Sequence, residues 1–400
     1  MSIIAEWWSY SLRSILELIQ VKTIAGTAFW VSIGGIFYAY FGYPLILWII
    51  GRFRPRPVQH GEIQPSTSLI ITAHNEERVI RQKIENTLDL NYPQQLLDII
   101  VASDGSTDKT EEITREYALH GMRLMAQKER KGKEATQRLA VNAAHGEILV
   151  FTDAAVMLER NAIQNIVRNF ADPSVGCVSS EDGILNANAA TSGENFYIRY
   201  EMWLRRLETQ ANSLVGLSGS FFAVRRELCQ GWSDLLASDY YILLNAVRHG
   251  YRGISDPMSI GYYRAVSSME KEFHRKVRTV LRGITVFFAT REVLNPVRFG
   301  LFSWQVISHK LIRWSVPLFM LLVFICNIPL LGRPAYLFLF LVQSLFYTLA
   351  CIGYKIQGLQ RFLLIKVSSF FAIVNISIAI AWFDYFKGRR QALWEPTQRV

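Results

Sequence analysis

Gly146-Glu147-Ile148-Leu149-Val150-Phe151-Thr152-Asp153-Ala154-Ala155-Val156-Met157 is the stretch whose reading decides the fold. Ile148 to Phe151 is an apolar run with β-branched members, bounded by Gly146 and Asp153, which is the pattern of a central strand buried on both faces. Asp153 then emerges at the carboxyl end of that strand, where open α/β sheets meet their ligands. A lone Asp in this position more often caps a turn. Here it is one of four acidic residues in comparable places, and that changes the reading.

The chain has 400 residues, half of them hydrophobic, and a mean hydropathy of +0.16. This balance suits a polar domain attached to membrane spans better than either alone. The formal charge of +10 does not point to nucleic acid, because many Lys and Arg residues flank apolar stretches and suit anionic lipid headgroups. Cys177, Cys229, Cys326 and Cys351 are far apart, a spacing of neither a zinc site nor a disulfide framework.

Residues 1–22 place Trp7, Trp8, Leu12, Ile15, Leu16 and Ile19 at helical spacing among charged residues, as in an interfacial amphipathic helix. No basic region followed by an apolar core and a small-residue cleavage site opens the chain, so no cleavable leader is expected. Residues 24–50 carry no charge and are long enough to cross a bilayer core of about 30 Å. Arg52, Arg54 and Arg56 follow, which puts the next segment in the cytoplasm by the positive-inside tendency.

Beyond Pro55, Pro57 and Pro65, strand-like and helix-like segments alternate over 66–265, the signature of a mainly parallel sheet. Strands are expected at 68–73, 97–103, 123–127, 148–151, near 175–179 and at 221–224, helices from 133, 162, 194 and 239, and a loop after His249-Gly250. Basic interfacial helices over 266–310 carry Arg275, Lys276, Arg278 and Arg282. Apolar runs at 311–331, 335–352 and 362–386 give two or three spans: the count of runs is three, whereas two would keep Lys387, Arg389 and Arg390 of the basic tail 387–400 inside. The expected protein is a multi-pass inner-membrane protein with a cytoplasmic α/β domain.

Glu76, Asp104, Asp153 and Asp239 each follow a strand or open a helix, and four carboxylates brought to one crevice make a site. At this point residues 66–285 resemble the membrane-bound inverting glycosyltransferases of family 2, the group of cellulose, hyaluronan and chitin-oligosaccharide synthases. The resemblance rests on Ala73-His74-Asn75-Glu76, Asp104-Gly105-Ser106, Arg130-Lys131-Gly132-Lys133, Asp153-Ala154-Ala155 and Ser238-Asp239. It implies a GT-A-type, Rossmann-like domain and a hexosyltransferase acting on a nucleotide-sugar, a UDP-sugar, in cell-surface polysaccharide biosynthesis. The acceptor is a saccharide or a lipid-linked saccharide.

By the same resemblance Thr72, Ala73, Asn75 and Glu76 lie near the nucleotide, Asp104 accepts a hydrogen bond from the base, and Lys133 approaches the diphosphate. Asp153 matches the first Asp of the DxD motif and would hold Mg²⁺ or Mn²⁺, but Ala155 stands where the second Asp belongs. Asp239 is the general base, and Gly219 and Ser220 of Ser218-Gly219-Ser220, followed by Arg225-Arg226, lie on the acceptor side. Arg278 retains the Arg of the QxxRW motif while its Gln and Trp are missing, which argues against processive polymer synthesis. Partners implied are the donor, the acceptor, membrane lipids and polysaccharide export proteins. Two other classes stay open: a catalytically impaired pseudo-glycosyltransferase scaffold and a nucleotidylyltransferase.

Overall fold

The computed structural model describes residues 2–185, 192–263 and 269–390. The expected tail beyond Arg390 and the expected start of the basic helices at 266 lie outside the described residues, as do the side chains before Ile19. The chain divides into two compact units, residues 46–307 with 380–400 and residues 1–45 with 308–379.

In the first unit the elements run β1 (Thr67–Ala73), α1 (Ile80–Leu88), β2 (Leu97–Ser103), α2 (Thr110–Glu116), β3 (Met122–Ala126), α3 (Lys133–Ala143), β4 (Ile148–Asp153) and β5 (Met157–Leu158). They continue through α4 (Ala162–Val167), β6 (Val175–Ile184), α5 (Ser192–Ala211), β7 (Phe221–Arg225), α6 (Ser238–Arg248), β8 (Arg252–Tyr263) and α7 (Met269–Ala289). One eight-stranded sheet has the order β3-β2-β1-β4-β7-β6-β8-β5. Strands β1 to β4 are parallel, β7 runs antiparallel between β4 and β6, and β6 pairs parallel with β8. The fold is therefore the expected GT-A-type, mainly parallel α/β sheet, with long apolar helices elsewhere in the chain.

Strand β4 lies at the centre because its side chains alternate between two cores, as the pleat of a strand requires. Ile148 and Val150 join Ile80, Ile84, Ile163 and Ile166 on one face. Leu149 and Phe151 join Ala140, Leu243 and Phe222 on the other, where the Phe151 and Phe222 rings stack at 4.8 Å. Truncating Phe151 to Ala here would cost on the order of 3–5 kcal/mol. Gly146 is required before the strand, since a Cβ there would come within 2.4 Å of Ser68 N.

The segment after Gly250, expected as a loop, is the twelve-residue strand β8. Gly253, Gly261 and Asp256-Pro257 hide its pattern in the sequence, and its pairing with β6 shifts register at Ser179/Glu181 to absorb the irregularity.

Among the apolar helices, the chain does not break between an interfacial helix and a span. One helix runs Ser2–Phe37, passes through a π turn at Tyr38–Gly42 and continues as Tyr43–Phe53. Thr23 and Thr27 donate to the carbonyls of Ile19 and Thr23, so both hydroxyls are satisfied within the helix. By length and composition, Ile19–Phe53, Pro334–Lys355 and Leu363–Phe386 could cross a membrane. The expected run at 311–331 belongs to a pair, Leu301–Ile312 and Val316–Leu330, bent by 55°. A second π turn, Ile307–Ile312, supplies Ser308, whose hydroxyl lies 2.8 Å from that of Tyr38.

Candidate active site

Parallel pairing brings the carboxyl ends of β1, β2 and β4 to one edge, with Thr72 beside Asp153 and Ala73 beside Ser103 in register. Thr72 and Ala73 are fully buried in β1, so they shape the floor of the crevice through their backbone. Thr72 O, for example, accepts from Ala154 N at 3.1 Å.

The loops that follow β1 and β2 interlock. Asn75, with φ +53, accepts from Thr107 N at 2.8 Å, Ser106 Oγ accepts from Asn75 N, and Glu76 N donates to Thr110 Oγ1 at 2.8 Å. Asn tolerates this left-handed backbone better than most residues. His74 lies with Nδ1 2.7 Å from Asp104 O, which fixes that nitrogen as the protonated one.

Asp104 is fully buried, and its carboxylate is already engaged by Lys131 N, Gly132 N and Thr136 Oγ1 at 2.8–3.1 Å. This carboxylate ties the Arg130–Gly132 loop to the end of β2 at the start of α3, where orphan N–H groups and the helix dipole favour negative charge. In these surroundings the residue sets the loop from which Lys133 projects.

Lys133 is the hub of the site. Its Nζ donates to Asp153 Oδ1 at 2.5 Å and to Gly219 O at 3.0 Å, with side-chain exposures of 9% for Lys133 and 21% for Asp153. Gly219 in turn touches Asp239: a Cβ at that position would sit 2.9 Å from Asp239 Oδ2. Four residues singled out from the sequence, Lys133, Asp153, Gly219 and Asp239, thus converge. Ser220 flanks them, with Ser220 O accepting from Asp153 N at 3.1 Å.

A supporting shell holds them, and most of it was not legible in the sequence. Gln137 accepts from Ser238 Oγ at 2.7 Å and donates to Thr72 Oγ1 at 3.3 Å, linking β1 to the helix start that carries Asp239. Asp182 accepts from both Ser218 and Ser220, at 2.7 and 2.9 Å, bracing the loop around Gly219. From below, Lys83 donates to Thr152 Oγ1 at 3.2 Å and Val156 O at 2.5 Å, spanning the turn that bears Asp153. One turn further on, Asn86 exchanges two 2.9 Å bonds with the Leu158 backbone.

Burial lowers the Lys83 ammonium to about 7, partly opposed by the nearby Asp153 charge. Lys83 did carry a signal in the sequence, because Ile80, Lys83, Ile84 and Thr87 repeat on the one helical face that is buried. Arg278 lies half-buried on α7. Arg282, one turn later, pairs with Glu134, the residue next to Lys133.

Among the described residues no group of three or more His, Cys, Asp or Glu gathers as a metal cage. With Ala155 in the second motif position, Asp153 is the motif's sole carboxylate. Mg²⁺ and Mn²⁺ sites on phosphorylated substrates commonly take one or two carboxylates and complete their shell with phosphate oxygens and water. Asp153, partly exposed and facing the crevice with one oxygen on Lys133, fits a single-carboxylate site of that kind.

Comparison with known proteins agrees with this architecture. Residues 68–232 match the family described as Glycosyl transferase family 2. A beta-monoglucosyldiacylglycerol synthase of Nostoc sp. (strain PCC 7120 / SAG 25.82 / UTEX 2576) is 31% identical over 199 residues, covering 46% of this chain and 42% of that protein. The chain therefore spans less than half the length of that curated relative. A dolichyl N-acetyl-alpha-D-glucosaminyl phosphate 3-beta-D-2,3-diacetamido-2,3-dideoxy-beta-D-glucuronosyltransferase of Methanococcus voltae is 21% identical over 310 residues, 72% of this chain and 95% of that one. The fold is shared with the mannosyltransferase PcManGT from Pyrobaculum calidifontis, solved with GDP-Man and Mn²⁺: TM-score 0.68, 21% identity, 91% of this chain and 100% of that one. Residues 68–232 thus match Glycosyl transferase family 2, and the sheet that contains them has the GT-A fold.

Proposed function

We propose that this chain transfers a sugar, with inversion, from a nucleotide-sugar, a UDP-sugar, to a hydroxyl of a saccharide or lipid-linked saccharide acceptor in cell-surface polysaccharide biosynthesis. The observation that carries the reading is the convergence of Lys133, Asp153, Gly219 and Asp239 at the carboxyl edge of the sheet. Direct inversion needs one base opposite the departing diphosphate, and Asp239, at the start of α6 and against Gly219, is that base. It takes the acceptor proton as the acceptor oxygen bonds to the anomeric carbon and the bond to the diphosphate breaks.

The leaving group's charge is met by Lys133, held in place through Asp153 and the Gly219 carbonyl, and by the first turn of α3. Asp153 would hold Mg²⁺ or Mn²⁺, which when bound supplies further neutralisation of the diphosphate. Asp104, Asn75 and Glu76 serve the nucleotide by fixing the two interlocked loops beside it, and Arg278 contributes charge from α7. Gly219 and Ser220 face the acceptor.

Membrane attachment is part of the reading. If the bent pair at 301–330 is re-entrant, Pro334–Lys355 and Leu363–Phe386 form one out-and-back pair. Arg52, Arg54, Lys387, Arg389 and the family 2 domain then share the cytoplasmic side, and the conflict over the basic tail disappears. The dolichyl phosphate named for the Methanococcus protein and the diacylglycerol named for the Nostoc one support a membrane-borne acceptor here.

The test is a panel of UDP-sugars, with GDP-mannose and sugar 1-phosphates alongside, offered to detergent-solubilised protein while nucleoside diphosphate release is followed. Release from one UDP-sugar, stimulated by a lipid extract, is the expected outcome. Turnover of a sugar 1-phosphate with a nucleoside triphosphate would instead mean nucleotidylyl transfer, and no turnover of any donor would mean a scaffold.

A further inference from the structure

Glu134 is the one acidic residue in the first turn of α3. It follows Lys133 directly, and its side chain is only 3% exposed. A carboxylate shut away from water needs a partner, and Arg282 of α7, itself 18% exposed, bonds it directly. Burial raises the Glu134 carboxyl above its ordinary range; Arg282 and then Lys133 pull it back, while Asp239 pushes it up further. Glu134 therefore shares one electrostatic neighbourhood with the hub lysine and the proposed base.

Two cations, Arg282 and Lys133, act on this carboxylate, and only one of them is needed for the proposed chemistry. We infer that Arg282 is a positioning residue that occupies Glu134, so that Lys133 stays committed to Asp153 and the donor diphosphate. Without the guanidinium, a buried and uncompensated Glu134 competes for the Lys133 ammonium and draws it away from Asp153 Oδ1 and Gly219 O. Because Arg282 sits on the amphipathic helix α7, the seating of that helix then sets where the Lys133 ammonium is held.

The inference rests on the donor site proposed above, and it goes beyond any family motif: Arg282 is not the position that matches QxxRW, and Glu134 lies outside the Gly-Lys element. It makes a signed prediction that simple packing does not. Removing the guanidinium alone should harm donor binding, and removing the carboxylate as well should repair it.

The experiment compares Arg282→Met, Arg282→Lys and the double variant Glu134→Gln/Arg282→Met with the wild type in the full-length detergent-solubilised protein. UDP affinity is read by calorimetry and transfer by UDP release. Arg282→Met should weaken UDP binding at least about tenfold, as expected when one charge contact to a diphosphate is lost. Arg282→Lys should lose less, and the double variant should return to within about threefold of wild type. If Arg282→Met does not fold, because it strands a buried charge, the double variant and Arg282→Lys still carry the test, since neither does. A folded double variant that binds UDP as poorly as, or more poorly than, Arg282→Met, or about tenfold below wild type where that single variant cannot be obtained, overturns the inference. So does an Arg282→Met variant with wild-type affinity. A wild type that binds UDP but transfers no sugar would count against the proposed reaction alone, leaving the Arg282 test to be read from affinity.

Discussion

Lys133 Nζ lies 2.5 Å from Asp153 Oδ1 and 3.0 Å from Gly219 O, so a single ammonium joins the end of β4 to the loop under Asp239. Gly219 thus has two duties: its carbonyl holds Lys133, and its missing side chain admits the Asp239 carboxylate. Gly219 is not among the residues with positive φ, so its backbone can accept Ala. The added Cβ would stand 2.9 Å from Asp239 Oδ2, and the carboxylate must move. Gly219→Ala should keep its melting temperature within a few degrees and lose roughly ten- to a hundredfold in kcat, the scale of a base displaced by a fraction of an ångström to one ångström. Unchanged kcat would mean that Asp239 does not act from this position.

Asp239→Asn keeps size and the start of α6 but removes the basic oxygen. Donor binding, measured as UDP affinity, should stay near wild type while transfer falls by about a hundredfold or more. Activity within threefold of wild type would move the base elsewhere.

The central strand was legible in the sequence because Ile148 to Phe151 is apolar at every position, and the helix starting at Lys133 because small residues repeat on its inner face. Strand β8 was not, since Gly253, Pro257 and Gly261 break the alternation and its pairing with β6 is spread over a register shift. Within the site, residues that follow strand ends could be named from local order alone. Arg282, Asp182 and Gln137 could not, because each acts through a partner 36 to 148 residues away and nothing local marks it. Asp104 is a different case: its place after β2 is local, but the bonds it accepts from the N–H groups of Lys131 and Gly132 come from residues 27 and 28 positions away and leave no mark in the sequence around it.

Those bonds make a prediction of their own. Asp104→Ala removes the acceptor for Lys131 N, Gly132 N and Thr136 Oγ1 at once, leaving the buried Gly132 and Thr136 donors unpaired at roughly 1–3 kcal/mol each before relaxation. The Arg130–Gly132 loop should loosen, and UDP affinity and thermal stability should fall together. A loss of UDP affinity with no change in melting temperature would instead favour direct contact between Asp104 and the base.

Lys83 should show itself in the pH dependence of stability. Its folded-state pKa is lowered to about 7, chiefly by burial, while an unfolded lysine keeps its proton to about 10.4. Between these values the unfolded chain binds the extra proton, so this group makes stability rise with pH, by at most about 1.4 kcal/mol per unit. Below pH 7 the cost of the buried charge is fully present. Wild type should therefore gain melting temperature relative to Lys83→Met between pH 7 and pH 9. Parallel curves for the two proteins would show that Lys83 does not titrate in this range.

The remaining prediction concerns Ala155, the position where the DxD pattern is broken. Ala155→Asp restores a carboxylate two residues after Asp153, on the turn that Lys83 pins through Thr152 and Val156. If Asp153 holds a divalent cation as the motif's sole carboxylate, a second anionic oxygen nearby should tighten the site and lower the Mn²⁺ concentration that gives half-maximal activity. Mn²⁺ binding in the presence of UDP, followed by electron paramagnetic resonance, should tighten in the same direction without any turnover being required. Should the wild type instead rely on Lys133 and the start of α3, chelator would leave its rate unchanged. The new carboxylate, with no cation to bind, would then repel the diphosphate and raise the donor KM. Chelator-insensitive wild type together with a raised KM in Ala155→Asp would remove the metal from Asp153 and leave Lys133 as the charge that the diphosphate meets there.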